Sequence, residues 1–261
     1  VPGEVLSRKA RQLLIALGLS EDDITSINLE SVRIRGLLNY IEKPKFEFKR
    51  PTFQPLAELP GELLDPSNPA HQEHYEYVRQ RRIDLTQFPF LVDLKAERPG
   101  IIIPFTIGGM VVGYTTRYFD NRKPKYLSVQ PEGYIFGLDW QQPDWTVALV
   151  VEGPFDAMSI NGLATMHQVM SPEQLMFIKS LGKEVIVVPD QNVSGMEIVD
   201  QAINEGFSVS IPEWHPGITD VNEATKAYGR LGALLTILRN KESNPIKIEL
   251  RRKALAQRLL A

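Results

Sequence analysis

The stretch EVIVVPDQNVSG, from Glu184 to Gly195, gathers Val185, Ile186, Val187 and Val188 into one apolar run that stops at Pro189. An unbroken run of β-branched residues reads as a strand buried on both faces. The chain then puts out Asp190, the amides Gln191 and Asn192, and a Ser194–Gly195 turn. Such a strand delivers an acid to a loop at its carboxyl end, where open parallel sheets bind their ligands.

The same grammar continues on both sides. TVALVVEG (146–153) is a strand running into a turn, and PFDAMSINGLA (154–164) is the helix after it. SPEQLMFIKSLG (171–182) is a helix with Ser171 as its cap and Gly182 as its stop. NVSGMEIVDQAINEG (192–206) is a helix closed by Gly206, and FSVSIPEW (207–214) is a third strand. TDVNEATKAYG (219–229) opens another helix, and residues 231–261 read as helical. Alternating strands and helices with continuous apolar strands predict an α/β, Rossmann-like parallel sheet flanked by helices.

Upstream the pattern differs, so the whole chain reads as α+β. IIIPFTIGGMVVGYTTRYF (101–119) is a hairpin turning at Gly108–Gly109, and KYLSVQPEGYIFGLD (125–139) adds a strand and a turn. AHQEHYEYVRQRRI (70–83) is helical, with a basic face of Arg79, Arg81 and Arg82. His71 and His74 have metal-like spacing but no third ligand nearby, and are expected on the solvated surface. Residues 42–69 carry six prolines without a clean period and read as a linker or wrapping arm. Residues 4–20 have helical spacing at Leu6, Ala10, Leu13, Leu14 and Leu17, and Ser20 before Glu21, Asp22 and Asp23 reads as an N-cap. The expected division is 1–60 as helix and proline-rich linker, 61–145 as a smaller mixed α+β subdomain, 146–235 as the parallel-sheet domain, and 236–261 as a basic C-terminal helix.

The three strand ends carry Glu152, Asp156, Asp190 and Asp220. Each alone suits a helix N-terminus. Together they would repel one another unless cations sat among them. Hard oxygen ligands of this kind suit magnesium, or manganese. Gly153 and Gly195 allow close backbone approach. Carboxylate-held divalent ions are the usual machinery of phosphoryl and nucleotidyl transfer.

Bulk properties agree. At 261 residues and 43% hydrophobic content the chain can bury a sizeable core, and no apolar run approaches a membrane span. It has no cysteine, which excludes disulfides and thiolate metal sites within it and fits a reducing compartment. Net charge is −3, yet Lys and Arg gather in RYFDNRKPKY (117–126) and IKIELRRKALAQRLLA (246–261), so nucleic-acid binding is not excluded.

VVEGPFDAMS resembles the first toprim motif, VVPDQNVSG the second, and ITDVNEA the third acidic position of toprim primases. The hairpin with its KYL strand, and EYVRQRRI before it, are similar to the segments that precede toprim in bacterial-type primases. Order and spacing over residues 70–235 look most like primases of T-even-type bacteriophages.

The resemblance implies the RNA polymerase core of a DNA primase, with single-stranded DNA and ribonucleoside triphosphates as substrates and magnesium as cofactor. Glu152 matches the acid that activates a 3′-hydroxyl. Asp156, Asp190 and Asp220 match metal-holding positions. Asn192 stands where most toprims have a second Asp, and is expected to alter metal occupancy before it costs catalysis. PEGYIFGLD also departs from bacterial forms, lacking the Lys that commonly precedes the glycine-leucine turn. Arg117, Lys123, Lys125, Arg79 and Arg82 match or flank basic positions for nucleotide and template.

The family's zinc-binding domain uses cysteines. A chain without cysteine or initial Met is expected to be the core with that domain, and its zinc, removed. A replicative helicase is the implied partner, reached through the basic C-terminal helix unless that helix packs Leu250, Leu255 and Leu259 on the core. The implied location is the bacterial host cytoplasm. A toprim nuclease, and a non-catalytic DNA-binding or helicase-linking subunit, share the same residues.

Overall fold

The computed structural model describes residues 8–16, 18–26, 51–120, 122–192 and 194–260. The chain divides into two compact units, 1–49 and 50–261.

In the first unit, α1 (Arg8–Ala16) is followed by Gly18 at φ 89 and a helical segment over 21–26. Ser20 does cap that segment. Its hydroxyl accepts from the Asp23 amide at 3.1 Å, and the Asp23 carboxylate accepts from the Ser20 amide at 3.1 Å. Residues 4–7 and Leu17, part of the expected helix, lie outside the described residues, as do 27–50.

The second unit contains two sheets. The first is antiparallel, in the order β1 (Glu62–Leu63), β2 (Leu91–Val92), β3 (Gly100–Ile107), β4 (Met110–Tyr118), β5 (Tyr126–Val129). β3 and β4 form the expected hairpin, with Gly108 and Gly109 at φ 58 and 76, the left-handed pair a two-residue turn requires. Their amides donate to the Asp139 carboxylate at 2.7 and 3.1 Å, which locks the turn.

α2 (Gln72–Gln80) precedes this sheet and ends where Arg82 takes φ 55. Its histidines are not on the solvated surface. His71 is buried, accepting from the Asp65 amide at 3.0 Å and lying 3.1 Å from Glu62. His74 is also buried, against the Phe119 ring at 5.3 Å. The partners that cover them come from the chain on either side of the helix, beyond the reach of helical spacing.

The second sheet has the order β10-β9-β8-β6-β7, with β6 (Val147–Val151), β7 (Leu163–Ala164), β8 (Glu184–Val187) and β9 (Ser208–Ser210) parallel, and β10 (Lys241–Glu242) antiparallel at one edge. Its helices are α3 (Pro154–Ile160), α4 (Pro172–Ser180), α5 (Glu197–Asn204), α6 (Val221–Arg239) and α7 (Pro245–Leu260). Ser171 closes a full capping box with Gln174, as its sequence predicts. Ala148, Val150, Ile186 and Val187 are fully buried, and burial of each Val or Ile side chain contributes about 1.5–3 kcal/mol.

Several elements differ from the sequence reading, beginning with β1, which lies in the stretch read as a linker. α3 stops at Asn161, which adopts φ 52, so Leu163–Ala164 leave the helix and join the sheet. The expected helix over 231–261 is interrupted by β10, because Lys241 and Glu242 pair with β9. α6 itself is kinked at Gly229, at φ 74. Of the α7 Leu face offered as the alternative to helicase docking, Leu255 is buried together with Ile248, Leu250 is 61% exposed, and the Leu259 side chain lies outside what the structure describes. Among the described residues, no helix is long and apolar enough to cross a membrane.

The two sheets meet at defined places. Phe136 and Ala164 exchange backbone hydrogen bonds at 3.0 Å in each direction. Phe155 of α3 packs near Phe90 and Tyr77, with ring centroids 6.2 and 6.0 Å away. These contacts set the hairpin sheet and α2 across from the carboxyl ends of the parallel strands.

Candidate active site

Glu152 follows directly on β6, and its Oε1 accepts from the Asp190 amide at 3.4 Å. Asp190 stands just beyond β8. The turn after it comes back so close that a Cβ on Gly195 would meet the Asp190 carbonyl oxygen at 2.2 Å and Glu152 Oε1 at 2.8 Å. Glycine is therefore the residue this turn admits. Gln191 anchors the loop: its amide donates to Thr219 O at 2.7 Å and its side chain to Pro212 O at 2.6 Å.

Asp156, in the first turn of α3, is buried, and its Oδ1 accepts from the Asn222 amide at 2.8 Å. Asp220 caps α6, accepting from the Glu223 amide at 2.7 Å. The capping role read from sequence is thus real for Asp220, and it coexists with a place in the cleft.

These carboxyl groups resist ionising together. Burial first, then the charges of Glu152 and Asp220, push Asp190 up to about 8. Burial, then Asp220 and Asp190, raise Asp156 well above the carboxylate range. Burial also raises Glu152 and Asp220. A cluster held this way is an attractor for cations.

Across from the acids stand cations of the other half. A cleft of about 400 Å³ is lined by Glu152, Asp156, Asp190 and Asp220 on one side and by Arg81, Arg117 and Lys125 on the other. Arg117 lies over the Tyr126 ring at 4.7 Å and donates through Nε to the Tyr77 hydroxyl at 3.1 Å. The structure thus brings together six of the residues singled out from sequence: Glu152, Asp156, Asp190, Asp220, Arg117 and Lys125.

Four others lie outside the cleft lining. Arg79 is held by Glu76 through two hydrogen bonds of 2.6 and 2.8 Å. Arg82 and Lys123 are exposed. Asn192 accepts from the Gly195 amide at 2.8 Å, so its side chain closes the turn beneath Asp190.

The sequence marks Arg81 only as part of a basic face, and singles out neither Asn222 nor His167 as a site residue. Arg81 sits 4.9 Å from the Phe155 ring and donates to the Tyr77 hydroxyl at 3.1 Å. Helical spacing held the signal, since Arg81 shares the face of His74, Tyr77 and Val78 while Arg79 does not. Asn222 is buried and joins the two halves. Its side-chain amide donates to Arg81 O at 2.9 Å and to Ser159 Oγ at 2.8 Å, and its backbone serves Asp156. His167 lines the cleft just after Met166, whose φ of 65 is rare outside glycine and whose amide donates to Glu152 O at 3.0 Å.

Among the described residues, no three His, Asp or Glu side chains converge as one close ligand group. The charge of Glu152 reaches Asp190, and Asp156, Asp190 and Asp220 feel one another, so the cleft offers carboxylate oxygens without a ready-made ligand group. One or two carboxylates, completed by water and phosphate oxygens, is the ligand set magnesium ordinarily takes.

No protein-family model matches the chain, and no curated protein matches it. Solved structures do. The Escherichia coli primase catalytic core is 15% identical with a TM-score of 0.54, over 67% of this chain and 75% of that one. The zinc-binding and RNA polymerase domains of the Aquifex aeolicus primase are 21% identical with a TM-score of 0.54, over 67% of this chain and 57% of that one. A DnaG primase catalytic domain bound to single-stranded DNA is 15% identical with a TM-score of 0.55, over 67% and 74%. At these identities the likeness is one of fold: the chain folds as bacterial primase catalytic cores do.

Proposed function

We propose that this chain is the RNA polymerase core of a DNA primase, joining ribonucleoside triphosphates into short primers on single-stranded DNA. The observation that carries the reading is the cleft itself. It sets Arg81, Arg117 and Lys125 opposite Glu152, Asp156, Asp190 and Asp220, on a fold shared with primase catalytic cores. A cation wall facing an acid wall suits a polyphosphate whose metal faces the acids and whose oxygens face the arginines.

In this reading Glu152 with Asp190, and Asp156 with Asp220, hold magnesium, or manganese in its place. When bound, the metal supplies positive charge at the attacking and leaving oxygens. Arg117, Arg81 and Lys125 bind and orient the triphosphate. Glu152 Oε1 is engaged by the Asp190 amide, which leaves Oε2 to take the proton of the primer 3′-hydroxyl as that oxygen attacks the α-phosphorus and pyrophosphate departs. Exposed Arg82 and Lys123 lie outside the cleft lining and serve the template, whose binding is expected to weaken with salt. Asn192 keeps the Asp190 turn closed and is at most a ligand through water.

Within primases we place the chain with those of T-even-type phages, acting in the bacterial host cytoplasm beside a replicative helicase. Support comes from the order of motifs, including Asp220-Val221-Asn222. We retain the division at 60, 145 and 235 as part of this proposal.

The test is template-dependent synthesis. The chain, single-stranded DNA, ribonucleotides and magnesium are expected to yield short alkali-labile products, with and without a zinc-binding primase domain added in trans. Template binding with no product in either arm overturns the reading.

A further inference from the structure

The Tyr77 hydroxyl is shared by two arginines. Arg117 Nε and Arg81 Nη2 each donate to it at 3.1 Å. Two guanidinium groups within one hydrogen-bond length of the same oxygen are close enough to repel strongly. Arg79 and Arg98, by contrast, are closed by carboxylates, Glu76 at 2.6 Å and Asp120 at 2.6 Å. Arg81 and Arg117 bond instead to neutral oxygens, Tyr77 and, for Arg81, Asn222 at 3.4 Å. Neither is closed by a carboxylate hydrogen bond, although Arg81 feels the charges of Asp156 and Asp220 nearby.

Tyr77 is itself held firmly. Its ring stacks on Phe119 with centroids 4.3 Å apart and meets Phe155 edge-on at 6.0 Å. Arg117 lines the cleft and gives the phenol its Nε, so the two terminal nitrogens of its fork are not used in that bond. The arrangement is a receptor built before its anion arrives.

We infer that Tyr77 is a positioning residue whose hydroxyl sets Arg81 and Arg117 side by side as one clamp for a phosphoryl group of the incoming nucleoside triphosphate. The inference rests on the primase reading for the identity of the substrate, but the clamp is testable without it.

Tyr77→Phe keeps the ring and its stacking and removes the shared acceptor. Its KM for ribonucleotide is expected to rise about tenfold, with kcat within about twofold of wild type. Affinity for inorganic tripolyphosphate, measured by calorimetry, falls by the same factor, while the melting temperature moves little. Arg81→Lys keeps the charge but not the fork. It shows a loss in the same direction, and the loss in the double variant is less than the two single losses combined.

Primer synthesis by wild type with tripolyphosphate affinity and KM unchanged in Tyr77→Phe overturns the clamp and leaves the primase reading standing. Absence of primer synthesis, with tripolyphosphate binding that Tyr77→Phe weakens, removes the primase reading and leaves the clamp. Failure of the wild type to bind tripolyphosphate, or fully additive losses in the double variant, overturns the clamp. If Tyr77→Phe does not fold, unaltered tripolyphosphate affinity in Arg81→Lys overturns it.

Discussion

The backbone amide of Asn222 donates to the Asp156 carboxylate at 2.8 Å, while the Asn222 side chain holds Arg81 O and Ser159 Oγ. One buried residue therefore fastens the start of α6, the acid wall and the end of α2 to one another. The acids belong to the parallel-sheet half and Arg81 to the other, so the opening of the cleft depends on this joint.

Asn222→Ala keeps the backbone bond to Asp156 and deletes the side-chain bonds. It leaves buried polar groups unpaired, so it is expected to cost about 1–3 kcal/mol in urea unfolding. Arg81 is loosened with it, so binding of polyphosphate is expected to weaken by more than the fold loses in overall order. Unchanged stability and unchanged binding together would show that the joint is incidental.

The raised acids make stability depend on pH and on metal. In the metal-free chain Asp190 is pushed up to about 8, against about 3.9 for an unfolded Asp. Between those values the folded state holds a proton that the unfolded state has released. Stability from this group is thus complete below about pH 4 and is lost as pH rises through about 8. Melting in a chelator is expected to fall between pH 5.5 and 8.5, and Asp190→Asn to flatten that fall. Magnesium or manganese at pH 8 is expected to restore the lost stability, because a cation replaces the protons. A melting profile indifferent to metal at pH 8 would contradict the pairing of these acids as ion ligands.

Arg117 and Arg79 separate the cleft from its surroundings. Both stood out as basic positions in sequence, but only Arg117 lines the cleft, and Arg79 is spent on Glu76. Arg117→Ala is expected to lower kcat/KM for ribonucleotide by at least about tenfold, and Arg79→Ala by less than about twofold. Equal losses would mean that the nucleotide path runs along the outer face of α2.

Much of the architecture is legible in local pattern. The apolar runs of β6 and β8, the Gly108–Gly109 hairpin and the Ser171 cap depend on neighbours a few residues apart, and each stands where its pattern puts it. Glu152, Asp190 and Asp220 were readable for the same reason, since a strand end or a helix start marks them. What escaped depends on distant chain. Leu163–Ala164 and Lys241–Glu242 are two-residue strands with no period of their own, fixed only by β6 and β9. His71 and His74 look solvated until Glu62 and Phe119 cover them. Charge alone does not distinguish Arg79, Arg81 and Arg82. Their place around α2 does: Arg81 falls on the face of the buried His74 and Val78, and Arg79 does not.

The most direct test of the central claim is primer synthesis by the wild-type chain against Glu152→Gln, with magnesium on single-stranded DNA and labelled ribonucleotides. Gln keeps the size and the acceptor for the Asp190 amide but cannot take a proton or carry the charge. The expected result is a ladder of short, magnesium-dependent, alkali-labile products from wild type, reduced by at least about a hundredfold in Glu152→Gln, with DNA binding preserved in both. Equal product from the two proteins would contradict the claim.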